Sequence, residues 1–251
     1  MMEKKAKIIA TLGPAIYSEK KLKKIIGLGV DAFRINFSHD ITGLKQIISR
    51  IRKLENKLSK RIAVIADLQG IKLRIGKISS SKLSIKHKQK FTFDINKKIG
   101  NNLRVCFPYP FIINKIKKGS KILLDDGKFI FKVIKKNKKS LVTRCQSTNC
   151  ILSSNKSVHI PNIKIPLNRL TKKDKKDISI AKRIGCNWIA LSYIQNSNLI
   201  KETRKLIKSD IGIISKIENK IAIKNIKEII NASDAIMIAR GDLAIDIGHS
   251  E

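Results

Sequence analysis

Cations and carboxylates gather at a few places in the chain, each at the end of a short apolar run. Arg34-Ile35-Asn36-Phe37-Ser38-His39 closes one run. Asp67-Leu68-Gln69-Gly70 closes another, with Lys72 and Arg74 close behind. Lys216-Ile217-Glu218-Asn219 and Ala239-Arg240-Gly241-Asp242 close two more. Phosphoryl transfer needs such a set: cations for the charge that spreads over the moving group, and carboxylates for a divalent metal. Lys216 and Glu218 lie two apart, so on a strand they point to the same side. Asp242, from the neighbouring run, could share a metal with Glu218, because Mg2+ takes one or two carboxylates and fills its shell with phosphate oxygens and water. Arg34 and Arg74 carry the forked guanidinium that grips a phosphate through two parallel N–H bonds. Taken singly, each feature is ordinary. A lone Lys-x-Glu at a strand end is usually a surface ion pair, Arg-Gly-Asp is usually a turn, and Asn36 and Ser38 alone read as a loop or helix cap. Their recurrence at successive run ends carries the signal. The chain has no Walker-type glycine loop, which argues against a P-loop kinase.

The elements that must present these residues follow from hydrophobic spacing. Residues 7–12 read as a buried strand ending at Gly13-Pro14. Ser18 stands at an N-cap position ahead of Leu22, Ile25 and Ile26 at helical spacing, and Gly27 and Gly29 end that helix. Strands over 32–37 and 62–68 flank a helix over 41–57. From 71 to 161 the texture changes to short alternating runs at 83–85, 91–93, 122–124, 129–133 and 141–143, with turn signals such as Asp126-Gly127 between them. This predicts a small β domain inserted after the third strand. The strand–helix alternation then resumes. Thr171 and Asp174 form a capping-box variant, strands are expected over 188–194, 211–217 and 235–239, and helices over 198–207 and 222–230. The rhythm is that of a parallel α/β fold. About six parallel strands fall short of the eight of a (β/α)8 TIM-type barrel, so the expectation is an incomplete barrel. The expected division is 1–70 and 163–251 for the barrel domain and 71–162 for the inserted domain.

Bulk composition narrows the function classes. Lys and Arg number 54 against 19 Asp and Glu, a formal charge of +35. Such a charge attracts polyanions. The lysines, however, are spread along the whole chain beside abundant Ile and Asn, all residues of A/T-rich codons. Aromatic residues make up only 5% and do not interleave with the basic runs, so no base-stacking platform is evident. The four cysteines, at 106, 145, 150 and 186, form no Cys-x-x-Cys pair and have no histidine at zinc spacing. They read as thiols in a reducing compartment. No apolar run reaches membrane-spanning length, and the run after Lys4 and Lys5 is too short for a signal peptide. The expected location is the cytoplasm.

Four segments give the chain a family likeness. KIIATLGPA from Lys7, RINFSH from Arg34, ISKIEN from Ile214 and MIARGDL from Met237 resemble pyruvate kinase in identity, order and spacing. The likeness covers essentially the whole chain, and the inserted β domain after strand three agrees with it. It implies phosphoryl transfer from phosphoenolpyruvate to ADP, giving pyruvate and ATP in glycolysis. Lys216 matches the lysine that bridges the transferring group, and Arg34 the residue that binds it. Glu218 and Asp242 match the ligands of Mg2+ or Mn2+, and Ala239 and Gly241 the backbone around the substrate carboxylate. Asn36, Ser38, Asp67 and the Leu68 carbonyl match ligands of a monovalent cation, with Asn36 also near the nucleotide. His39, Arg74 and Lys156 match nucleotide-phosphate contacts, with Lys156 on a domain that closes as a lid in the family.

The sequence departs from the family pattern in informative places. Where K+-dependent members read Asp-Thr-Lys-Gly-Pro-Glu, this chain reads Asp67-Leu68-Gln69-Gly70-Ile71-Lys72. The likeness then implies that the Lys72 ammonium replaces the positive charge of K+, and that dependence on K+ is weak. Ser157, His159 and Asn162 depart from a Gly-Val-Asn-Leu-Pro-Gly hinge, Ala244 replaces a glycine, and Gln195 stands where a basic residue is common. The family continues past the point matching Glu251 with two barrel strands and a C-terminal domain that makes contacts between subunits of a homo-oligomer. A fragment of a longer protein, a barrel completed by a second chain, or a decaying gene is therefore expected. The alternative is a non-catalytic remnant barrel that binds polyanions, without specificity for nucleic acid or membrane. The inserted domain argues against a different phosphoenolpyruvate-using barrel enzyme.

Overall fold

The computed structural model describes residues 6–38, 42–161, 163, 169–208 and 210–247. They fall into two compact units. The first is drawn from Met1–Ile71, Asn168–Ile217 and Ile221–Ile238; the second from Lys72–Leu167, Glu218–Lys220 and Ala239–Glu251.

The chain opens with strand β1 (Ile9–Thr11), helix α1 (Glu19–Gly27), β2 (Ala32–Asn36), α2 (Leu44–Leu58) and β3 (Ala63–Asp67). Ser18 caps α1, its hydroxyl accepting from the Lys21 N–H, and Leu22 and Ile26 are the buried side chains of that helix. Gly43, at φ +77°, turns the chain into α2, which buries Leu44, Ile47, Ile48, Ile51 and Leu54 at helical spacing. The second unit supplies β4 (Leu83–Ile85), β5 (Lys90–Asp94), β6 (Arg104–Cys106), α3 (Pro110–Ile113), β7 (Lys121–Leu124), β8 (Phe129–Lys136), β9 (Ser140–Cys145), β10 (Cys150–Leu152) and β11 (Val158–His159). Then come α4 (Lys172–Ile184), β12 (Trp188–Leu191), α5 (Asn198–Ile207), β13 (Gly212–Ile217), α6 (Lys220–Lys224), α7 (Ile226–Ala232), β14 (Ala235–Ile238) and α8 (Arg240–Ile247). No helix of the described residues is long and apolar enough to cross a membrane.

In the first unit a six-stranded, wholly parallel sheet runs β1-β2-β3-β12-β13-β14, the order of the chain itself. Side chains alternate between its faces. Phe33, Ile35, Val64, Ala66, Ile189, Leu191, Ile213 and Ile217 belong to the large core that also takes in the buried faces of the helices. Ala32, Ile65, Ala190 and Ile214 form a smaller cluster. Arg34, Asn36, Asp67 and Lys216 share the phase of that second set and sit beyond it, toward the C-terminal strand ends. Register sets their neighbours: Asn36 lies opposite Asp67, Asp67 opposite Ala190, and Lys216 opposite Met237.

The second unit holds a six-stranded sheet in the order β11-β7-β8-β9-β5-β6, antiparallel except for the β5–β6 pair, and a separate antiparallel β4–β10 pair. Phe91, Phe93, Phe107 and Phe131 are buried together, with ring centroids of Phe91 and Phe93 5.4 Å apart and edge to face. The β7–β8 hairpin turns through Asp125, Asp126 and Gly127, all at positive φ.

Several sequence expectations differ from the fold in detail. Strand β12 stops at Leu191 rather than 194, because Tyr193 adopts φ +57° and breaks the extended run. The helix expected over 222–230 is two helices, α6 and α7, separated at Asn225. Residues 240–242 open α8 rather than ending a strand. Strands β6, β10 and β11 and helix α3 had no signal strong enough to read.

Candidate active site

The first unit gathers its charged residues on Asp67, whose side chain is about 3% exposed. Arg34 Nε donates to Asp67 Oδ2 at 2.7 Å, and Arg34 Nη1 reaches Thr11 Oγ1 at 3.1 Å. Lys216 Nζ lies 3.3 Å from the other carboxylate oxygen, Asp67 Oδ1. One buried anion thus holds a guanidinium and an ammonium, leaving a net positive end to the strand cluster. A buried carboxylate is tolerated only with such partners. Lys216 also donates to Ser192 Oγ at 2.9 Å, and Ser192 in turn donates to the Leu68 carbonyl at 2.9 Å.

The loop after β2 is held from several sides. Asn36 Oδ1 accepts from the Ser38 N–H at 2.9 Å, and the Phe37 N–H donates to the Asp67 carbonyl at 2.9 Å. Lys173, on α4, donates to the Phe37 carbonyl at 2.6 Å and pairs with buried Asp177. Ser38 is exposed, and His39 lies outside the described residues. Three of the four sequence-predicted cation ligands, Asn36, Asp67 and the Leu68 carbonyl, therefore each already meet a donor of the chain, and the fourth is exposed Ser38.

The second unit gathers a different set around the Asp125-Asp126 turn. Lys156 Nζ donates to Asp125 Oδ1 at 2.7 Å. Ser157 Oγ donates to Asp126 Oδ1 at 2.7 Å and accepts from the Asp126 N–H at 3.0 Å. Lys72 Nζ lies 3.2 Å from Asp126 and 3.9 Å from Asp242. Burial pushes the Asp126 carboxyl up, but the Ser157 hydroxyl and the Lys72 and Arg74 charges outweigh it and hold the group below the usual carboxylate range. Arg74 Nη1 donates to the Asn155 carbonyl at 2.8 Å, and its backbone N–H to Tyr109 Oη at 3.2 Å. His159 Nε2 is 2.9 Å from Asp246, which also accepts from the Lys220 N–H at 2.6 Å. Glu218 is buried at 2% exposure. Ala239 is half-buried, Gly241 exposed, and Asp242 lies in the first turn of α8.

Lys72 pairs with Asp126 and Asp242, within its own unit. Among the described residues no three His, Cys, Asp or Glu side chains cluster as a zinc-type site would require. A buried glutamate and a half-buried aspartate suit instead a hard divalent ion that keeps its waters. The sequence reading missed Ser192, Tyr109 and the Asp125-Asp126 pair. Asp126-Gly127 was visible as a turn, but nothing in the sequence tied it to Lys72 or Lys156. Ser192 had no signal at all, since its partners come from two other strands.

A family model described as the barrel domain of pyruvate kinase matches residues 3–251. A pyruvate kinase of Buchnera aphidicola subsp. Acyrthosiphon pisum is 40% identical over 257 residues, covering 99% of this chain and 53% of the relative. One from Geobacillus stearothermophilus is 32% identical, covering 100% of this chain and 44% of the relative. The crystal structure of a pyruvate kinase from Cryptosporidium parvum superposes with a TM-score of 0.90 at 27% identity, over 97% of this chain and 52% of that one. The chain spans about half the length of the relatives it matches.

Proposed function

Because this chain belongs to the pyruvate kinase family of phosphotransferases, we propose that it carries the amino-terminal machinery for moving the phosphoryl group of phosphoenolpyruvate to ADP. The products are pyruvate and ATP, and the enol released by transfer is protonated afterwards. The observation that carries this reading is the pair of cations, Arg34 on β2 and Lys216 on β13, fixed on the one buried carboxylate of Asp67 at the end of β3. A phosphoryl group in transfer spreads negative charge over its equatorial oxygens, and preorganised cations lower that barrier without reorganising.

In this reading Arg34 binds the phosphoryl group and Lys216 bridges it as it moves. Asp67 keeps both cations aimed. Ala239 and Gly241 line the substrate carboxylate, while Asn36, His39, Arg74 and Lys156 meet the nucleotide. Glu218 and Asp242 would hold Mg2+ or Mn2+, which when bound neutralises phosphoryl charge. Asn36, Ser38, Asp67 and the Leu68 carbonyl belong to the monovalent-cation position. With Arg34 and Lys216 already on Asp67, and Lys72 in place of the family glutamate, K+ adds little. The barrel portion is 1–70 and 163–251, an incomplete (β/α)8 barrel, with the inserted domain at 71–162. The cytoplasm and a homo-oligomer suit such an enzyme.

The test is a coupled pyruvate assay on this chain with Mg2+, phosphoenolpyruvate and ADP. Lys216→Met lowers kcat by about 10²-fold or more, and activity that survives the substitution removes the mechanism. Exchanging Na+ for K+ at constant ionic strength leaves the rate nearly unchanged; a large stimulation by K+ sinks that part. A polyanion-binding remnant would instead give no pyruvate and steeply salt-dependent binding to nucleic acid.

A further inference from the structure

We propose that Ser192 is a positioning residue for Lys216, a role that rests on the reading of Lys216 as the lysine at the transferring phosphoryl group. Ser192 follows β12 by one residue and is only 6% exposed. Its hydroxyl has one proton to give and two lone pairs to offer. Two acceptors compete for the proton: the Leu68 carbonyl at 2.9 Å and Asp67 Oδ1 at 3.5 Å. The shorter bond takes it, and the lone pairs then face Lys216 Nζ at 2.9 Å. The result is a directed chain from ammonium to hydroxyl to carbonyl, each bond polarising the next.

The backbone fixes this hydroxyl in place. Gly70, at φ +60°, packs so closely that a Cβ there would fall 2.9 Å from the Ser192 carbonyl oxygen and 3.0 Å from its Cβ. The Gly70 N–H is itself anchored to Asp174 Oδ1 at 3.1 Å. On the other side, Tyr193 at φ +57° turns the chain away immediately after Ser192. Ser192 is therefore held between two left-handed turns, with its side chain spanning β3 and β13. The Lys216–Asp67 contact, at 3.3 Å, supplies charge balance. The shorter hydroxyl contact supplies direction. Ser192 also links the Leu68 carbonyl to Lys216, so it joins the strand end proposed for a monovalent cation to the lysine of phosphoryl transfer.

The experiment compares the full chain with Ser192→Ala and Ser192→Thr. Acetic anhydride labelling at one fixed pH, followed by peptide mass mapping, reads how firmly the Lys216 side chain is held. Releasing it from the Ser192 hydroxyl in Ser192→Ala raises its labelling rate about threefold, the loss of one hydrogen bond of modest net strength. Lys117, remote in sequence and exposed, keeps its rate, and Ser192→Thr restores that of Lys216. In the pyruvate assay Ser192→Ala lowers kcat more than it raises KM for ADP. An unchanged Lys216 rate in Ser192→Ala overturns the positioning role, whatever the assay gives. A raised rate in a chain that makes no pyruvate overturns the functional reading and leaves the positioning standing. If Ser192→Thr does not fold, Ser192→Ala decides alone, since a merely structural role lowers the melting temperature without changing the Lys216 rate relative to that of Lys117.

Discussion

Asp67 is where the residue scale becomes quantitative. Its carboxylate is the shared partner of Arg34 and Lys216, and both cations are largely removed from water. Replacing it with asparagine keeps the shape and removes the charge, so two half-buried cations face each other without an anion. Breaking a buried pair from one side typically costs about 3–5 kcal/mol. Because Arg34 retains some exposure, Asp67→Asn is expected at the lower end, near 3 kcal/mol, as a shifted urea midpoint at unchanged slope. In a Lys216→Met background the same substitution costs less, since one repulsion is gone. Equal costs in both backgrounds would refute the shared-anion account. Arg34, Asp67 and Lys216 were legible in the sequence because each closes an apolar run, and a run end is a local property. Ser192 was not, because its meaning lies in a hydroxyl shared between Leu68 and Lys216, more than a hundred residues and 24 residues away along the chain.

At the scale of elements the same division holds. The α4 cap was readable: Thr171 accepts from the Asp174 N–H, and Asp174 accepts from the Thr171 N–H. The α5 span was readable from spacing alone. Both are set by residues within a few positions of each other. The break at Asn225 and the early end of β12 were not, for they follow from how neighbours pack. Gly212 illustrates the packing side. It opens β13 opposite Trp188 on β12, and a Cβ there would lie 2.3 Å from the Trp188 ring. Only a bare backbone lets the indole lie across the strand. Gly212→Ala must move Trp188 or separate the two strands. The expected cost is about 1–3 kcal/mol, with a change in Trp188 fluorescence, the chain's single tryptophan. Nearby, Arg52 ties α2 to the strand starts through the Ile62 and Gly185 carbonyls and Asn187 Oδ1. A disturbance at Gly212 is therefore met by a framework that resists shear, which places the strain on the indole. A wild-type melting curve and spectrum for Gly212→Ala would rule this packing out.

The whole molecule carries a formal +35, and that charge decides how it meets acid. Its carboxylates are few and many are committed. Burial raises the Asp126, Glu202, Asp234 and Asp246 carboxyls. Ser157, Lys175, Arg204 and His159, respectively, lead the opposing interactions, which leave all four below their ordinary values. A group whose folded pKa is depressed stabilises the fold above its ordinary pKa and loses that contribution as pH falls through the lowered value. Asp177, raised by burial despite Lys173, works the other way. With Glu19, held low by its hydrogen bond to Lys57, five depressed groups against this one make acid destabilising below about pH 4. Each protonation also adds to a positive charge that already repels itself, and salt screens that repulsion over about 10 Å at 0.1 M. Melting temperature is therefore expected to hold between pH 7 and pH 5 and to fall from pH 4 to pH 3, more steeply in dilute buffer than with added NaCl. A flat profile down to pH 3 would mean that these carboxylates are not paired as described. An equal fall in both salts would mean that partly buried local pairs, which salt screens little, rather than net repulsion, dominate the acid response.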